Sequence, residues 1–133
     1  MRGIVAGDLV IDVVHASPDL IEVFWSGSSN AKDPAVTLRP FTTLLLAEAK
    51  TRSARVELHF EKLSFINSST VSALIRFLQD AAGDGVKVAL FYDGALRWQE
   101  HNFKTISLLH GPRLGLEVHR LDGGVTPEKV RHL

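Results

Sequence analysis

The sequence predicts an α/β domain: a mixed β-sheet of about five strands, opened by a hairpin, with about three helices packed against it. Three observations carry this reading. Two Val- and Ile-rich runs near the N-terminus flank a short turn that contains Pro18 and Asp19. Downstream, strand-like and helix-like periodicities alternate, which implies strands joined through helical crossovers. The 133 residues fit one domain, 1–133. At this size folding buries roughly two-thirds of the unfolded surface, enough for a core without staples.

Asp8–His15 (DLVIDVVH) and Leu20–Trp25 (LIEVFW) read as the hairpin, with Ala16–Asp19 as its turn. On the second strand Ile21, Val23 and Trp25 share one face, and Glu22, Phe24 and Ser26 the other. Trp25 is assigned to the core, and Gly27–Asn30 reads as a loop. A helix follows, up to about Arg52. Asp33-Pro34 would start it with Pro40 inside; Thr37 as N-cap instead puts Pro40 in the first turn, where its missing N–H costs nothing. Phe41, Leu44 and Leu45 form its apolar stripe, and Lys50 and Arg52 suit its C-terminal end.

Arg55–Phe60 alternates, with Val56, Leu58 and Phe60 on one face and Glu57 and His59 on the other. Lys62 interrupts, and Leu63–Ile66 continues. Val71, Leu74, Ile75 and Leu78 stand at helical spacing, and Gly83-Asp84-Gly85 ends that helix. Val86–Tyr92 is the most apolar strand. Gln99–Leu109 reads as a third helix with Phe103, Ile106 and Leu109 toward the core, Leu116–Val118 as a short last strand, and a polar tail runs from about 122.

Composition narrows function mostly by exclusion. Fifteen basic and fifteen acidic residues give a formal net charge of zero, which offers no broad phosphate-binding footprint for nucleic acid. The absence of cysteine excludes disulfides, thiolate metal sites and cysteine catalysis. No apolar run approaches the ~20 residues of a membrane span. The N-terminus has one basic residue and no long apolar run, so no signal peptide is read and a cytoplasmic location is expected. His15, His59, His101, His110, His119 and His132 form no i,i+4 pair and no HExxH pattern, so most are expected at the surface and no metal site is assigned. No G-x-S-x-G or Gly-rich phosphate loop is present, so no catalytic residue and no cofactor is assigned.

The most informative stretch is Phe65-Ile66-Asn67-Ser68-Ser69-Thr70-Val71, where a strand ends and a helix begins. Free N–H groups and the positive end of a helix dipole converge there, and a phosphate would meet donors at once. The plainer reading is that Asn67 or Ser68 simply caps the helix. Both readings stand on the residues alone.

The surrounding stretch, Val56 to Leu74, resembles the signature of the STAS domain family, which includes anti-sigma factor antagonists of bacterial partner-switching systems. The family form is an apolar strand, a Phe-Ile step and then Asp-Ser-Ser-Gly-Leu opening a helix. Here Asn67 stands for Asp, Ser68 and Ser69 match the serines, Thr70 replaces Gly and Val71 replaces Leu. Gly85-Val86-Lys87-Val88-Ala89-Leu90-Phe91 falls where the family has its next strand. Leu96-Arg97-Trp98-Gln99 looks like a Pro-Trp-Gln step of STAS-like regulators. The resemblance implies a non-enzymatic signalling domain that binds an anti-sigma factor or related serine kinase. Phosphorylation falls on Ser69 first and Ser68 second, and a PP2C-type phosphatase reverses it. Asn67 and Thr70 flank the site, and Ser72, Arg76 and Gln79 are the expected partner surface; Trp98 reads equally as exposed or buried and, if exposed, joins it as an anchor. Two alternatives remain: a small-molecule sensor walled by loop 27–33 and the region of Trp98, or an unphosphorylated scaffold that forms a homodimer.

Overall fold

The computed structural model describes residues 1–122; the tail expected beyond that point lies outside them. A hairpin of β2 (Leu9–Ser17) and β3 (Leu20–Ser29) closes through Pro18 and Asp19, with Ser17 paired to Leu20. Proline presets the turn dihedral and Asp19 accepts the Ser17 hydroxyl at 2.6 Å. An additional short strand, β1 (Ile4–Ala6), pairs antiparallel with β2 and raises the sheet to six strands instead of about five. Three residues are too few to show a periodicity.

From β3 the sheet grows by parallel addition: β4 (Arg55–Ile66), β5 (Val88–Asp93) and β6 (Glu117–Leu121), in spatial order β1 to β6. The crossovers are α1 (Ala35–Arg52), α2 (Ser68–Gly83) and α3 (Arg97–Leu114). Parallel crossovers are right-handed. With every step in the same direction, all three helices fall on one face of the sheet. Their buried residues (Leu38, Phe41, Leu45, Leu74, Phe77, Phe103, Ile106) share one core with Ile21, Val23, Trp25, Val56, Leu58, Phe60, Val88 and Leu90. Ala89, Phe91 and Leu121 form a separate small cluster on the opposite face. No described helix is long and apolar enough to cross a membrane.

Several boundaries differ from the sequence expectation. Helix α1 starts at Ala35 with Pro34 as N-cap, so Pro40 does lie inside it. Leu38 joins the buried stripe, and the missing Pro40 N–H falls on an exposed side of the helix. Leu44 and Leu109, expected to face the core, are exposed, while Leu38 and Leu46 bury on α1. Strand β4 is continuous through Lys62, and β3 continues through Gly27–Ser29, because these two segments pair with each other up to Ser29 and Ile66. Gly27 has a φ of 80°, and a Cβ there would collide with the Asp8 carbonyl. The loop signal at Gly27 thus marks a close strand crossing.

Pairing of β4 with β5 ends at His59 and Phe91, and the strands then part. Gln99, fully buried in the first turn of α3, fills the gap. Its Nε2 donates to the Phe60 and Leu63 carbonyls at 2.7 and 3.0 Å, and its Oε1 accepts from the Asp93 N–H at 2.7 Å. One carboxamide thus continues a strand ladder where no strand is present. Gln99→Leu, nearly equal in volume, removes the side-chain donor from both carbonyls. It should cost about 2–4 kcal/mol in urea unfolding, and a loss below about 1 kcal/mol would refute the role.

Tyr92, the only tyrosine, is buried at the end of β5. Burial pushes its phenol up to about 12, helped by its hydrogen bond to Glu100 and by that carboxylate's charge. The folded protein therefore holds the phenol proton more tightly than the unfolded chain, whose tyrosine titrates near about 10. This contribution to stability is complete below about pH 10 and is lost as pH rises through about 12. Ultraviolet titration should place tyrosinate formation in the native protein well above that in urea; coincident midpoints would contradict the burial argument.

Candidate functional site

Parallel pairing brings the C-terminal ends of β3 and β4 to one edge of the sheet, where each strand passes toward a helix. Polar groups of four residues, Ser29, Ala31, Asn67 and Thr70, meet there. Asn67, with extended backbone, is the N-cap of α2: its Oδ1 accepts from the Thr70 N–H at 2.9 Å and from the Thr70 hydroxyl at 2.6 Å. Its Nδ2 donates to the Ala31 carbonyl at 2.8 Å, and its N–H to the Ser29 carbonyl at 2.9 Å. The buried Ser29 and Thr70 hydroxyls lie 2.7 Å apart, which completes the node. Asn67 and Thr70 are thus committed to holding β3, β4, the 30–34 loop and α2 together.

Ser68 and Ser69, by contrast, are exposed. They occupy the first two helical positions, where the backbone N–H groups have no partner within the helix. No acidic residue stands in that first turn. The expected stripe is realised further along α2: Ser72, Arg76 and Gln79 are exposed on the same side. Ser72 donates to the Ser68 carbonyl at 3.2 Å, and Arg76 pairs with Asp80 at 3.3 Å.

Ser69, Ser72 and Arg76 also border a cavity of about 310 Å³ between α1 and α2. Its interior is apolar, with Trp25, Leu38, Phe41 and Phe77 among its walls. Lys32 and Asp33 come from the loop expected to wall a pocket, but Trp98 takes no part in it. Trp98 is half-buried at the start of α3, its ring tilted against Phe103 with centroids 6.2 Å apart. It packs on the margin of the core and does not join the α2 stripe.

Sequence reasoning overlooked His59. It is 1% exposed, lies on the helix-free face of β4, and has Glu22 and Glu57 beside it. Of the other described histidines, His15, His110 and His119 are half-buried and His101 is exposed, so the surface expectation is corrected for His59. Alternation in Arg55–Phe60 put Glu57 and His59 on one face; what it could not supply was the neighbouring strand that brings Glu22.

No family model matches the chain, and no curated protein matches it. Among solved structures it is similar to that of the anti-sigma factor antagonist SpoIIAA in its unphosphorylated form, at 13% sequence identity and a TM-score of 0.61. The similarity covers 92% of this chain and 97% of that one. The six-stranded sheet with three described helices is therefore the STAS fold of SpoIIAA.

Because Asn67 supplies three side-chain bonds, Asn67→Ala should cost about 1–2 kcal/mol of stability. Thr70→Val, which keeps the volume and removes the buried hydroxyl, should cost about 1–2 kcal/mol. Urea unfolding of the two single variants and the double variant checks this. The double variant should lose less than the sum, since the two share a hydrogen bond; strict additivity would show that the node does not act as a unit.

Proposed function

We propose that this chain is a non-enzymatic regulatory domain that docks a protein partner, an anti-sigma factor or related serine kinase, through the exposed start of α2. Phosphorylation of Ser69 releases the partner, and a PP2C-type phosphatase restores binding. The observation that carries this reading is the division of labour within Asn67–Thr70. Two residues are consumed by the capping node, and two present hydroxyls outward at a helix start. Ser69 precedes Ser68 as acceptor because it borders the groove between α1 and α2, beside Ser72 and Arg76. Thr70, wholly buried, does not accept phosphate without unfolding the node. Similarity of fold to an anti-sigma factor antagonist supports the same assignment.

The switch follows from charge and hydration. A serine hydroxyl buries in an interface at the cost of one hydrogen bond. A phosphoserine adds about −1.5 to −2 charges and three acceptor oxygens. A partner docked over Ser69, Ser72, Arg76 and Gln79 must then strip that group of water or repel it, and either lowers affinity.

One observation favours a second reading, the sensing of a small apolar ligand. Trp25 borders the cavity, and its indole N–H is buried and makes no hydrogen bond. A ligand with an apolar body and one acceptor would satisfy it.

Incubation with ATP and an anti-sigma factor kinase, followed by mass mapping, tests the first reading. Phosphate is expected on Ser69 and is lost in Ser69→Ala, and Ser69→Asp should weaken partner capture at least tenfold, about 1.4 kcal/mol. Absence of phosphate from Ser68, Ser69 and Thr70 would sink the switch.

A further inference from the structure

The cavity between α1 and α2 has two zones. Its buried lining is apolar, with Leu38 and Phe41 from α1, Leu58 from β4, Phe77 from α2 and Trp25 from β3. Its exposed lining is polar and charged, with Lys32, Arg39, Ser69, Ser72 and Arg76 at the mouth. An uncharged interior beneath a charged mouth matches a molecule that is apolar along its body and polar at one end. A volume of about 310 Å³ holds roughly ten water-sized groups at about 30 Å³ each. The occupant is therefore small.

We propose that this cavity binds a small carboxylate: its head sits at the mouth, its apolar body fills the interior, and its inner end carries one neutral acceptor for Trp25. The proposal names the ligand class for the sensing reading of the cavity and rests on that reading. Three observations carry it. First, Trp25 is 4% exposed and its indole N–H makes no hydrogen bond. A buried donor is costly to leave unpaired, and an oxygen on the occupant gives it the partner the chain does not. Second, the charged lining residues are three cations, Lys32, Arg39 and Arg76, against two carboxylates, Asp33 and Asp80. Arg76 and Asp80 pair with each other at 3.3 Å, so Lys32 and Arg39 stand against Asp33 alone. Third, both flanking helices begin at this cavity: Pro34, the N-cap of α1, and Ser69, in the first turn of α2, belong to its lining. Neither helix has an acidic residue in its first turn, and helix N-termini favour anions.

A surplus of a single positive charge suits a monoanion. A phosphate monoester brings about −1.5 to −2 charges and overfills the mouth, which favours a carboxylate as the head. Ser69 lines the same mouth, so a negative charge placed there stands beside the head and repels it, while an uncharged ligand is indifferent to it. This consequence follows from position alone and holds whether or not a kinase acts on Ser69.

Three probes separate the parts of the ligand: 7-oxooctanoate has head and acceptor, octanoate the head alone, and 2-octanone the acceptor alone. Each is titrated into the full chain carrying Trp98→Phe, in which Trp25 is the only tryptophan and its emission reports occupancy. 7-Oxooctanoate should bind saturably, roughly 3–10-fold tighter than either of the others. Arg39→Gln, at an exposed position, should weaken both carboxylates roughly threefold and leave 2-octanone unchanged, and Ser69→Asp should do the same. In Trp25→Phe, followed by calorimetry, 7-oxooctanoate and octanoate should bind equally. If 7-oxooctanoate and octanoate already bind equally with Trp25 in place, the acceptor's role is overturned. Equal binding of 2-octanone and 7-oxooctanoate, untouched by Arg39→Gln and Ser69→Asp, overturns the carboxylate while the cavity remains a ligand site. No saturable binding of any probe, by emission or calorimetry, overturns both the proposal and the sensing reading beneath it.

Discussion

The direction in which the parallel strands are added governs everything else in this fold. From β3 to β6 each new strand lies on the same side of the last, so right-handed crossovers send α1, α2 and α3 to one face. Two consequences follow. The C-terminal ends of β3, β4 and β5 gather at one edge, the position at which open α/β sheets present ligand-facing groups. The other face has no helical layer and must cover the central strand with its own side chains. Strand β4 meets both demands: Val56, Leu58 and Phe60 enter the main core, Glu57 and His59 are buried opposite, and Asn67 opens α2 directly after its end.

The departures from the STAS pattern make sense together. Asn67 stands where that pattern has Asp, but here its amide donates to the Ala31 carbonyl at 2.8 Å. A carboxylate would set two acceptors against each other at that distance. Thr70, in place of Gly, needs an acceptor and a neighbour for its buried hydroxyl, and it finds Asn67 and Ser29 at 2.6 and 2.7 Å. The two changes are one solution: a neutral cap closed on itself, tied to β3 through Ser29. Both residues are engaged in the node, which leaves Ser68 and Ser69 as the exposed hydroxyls at this helix start.

What the sequence made legible was whatever depends on local period. The β2–β3 hairpin, the alternation in Arg55–Phe60, the apolar face of α2 and the order of the elements follow from side chains two, three or four residues apart. What it hid depends on partners distant in sequence. Gln99 reads as a polar residue in a helical first turn, and only the parting of β4 and β5 makes it a bridge. His59 reads as a solvent-facing strand residue, and only Phe24 and Phe91 from neighbouring strands bury it. Pro40 reads as a first-turn residue, yet the helix starts earlier, at Ala35, with Leu38 buried two residues before the proline. The serines at the candidate site were legible because a strand end, a cap and two hydroxyls are contiguous in the chain. The cavity beside Ser69 was not, since α1 supplies one wall and α2 the other.

The neutrality of that cap decides how a phosphate at Ser69 would act. With no acidic residue in the first turn of α2, a phosphoserine would add the only formal negative charge there, at the positive end of the helix dipole. Helix and phosphate favour each other by about 0.3–1 kcal/mol at an exposed terminus. Under the proposed reading the modification would therefore firm α2 instead of melting it, and the capping node beneath would stay intact. A switch built this way transmits nothing through the fold. It would change the charge and hydration of one surface patch at the mouth of the α1–α2 groove, and its whole effect would fall on whatever docks there.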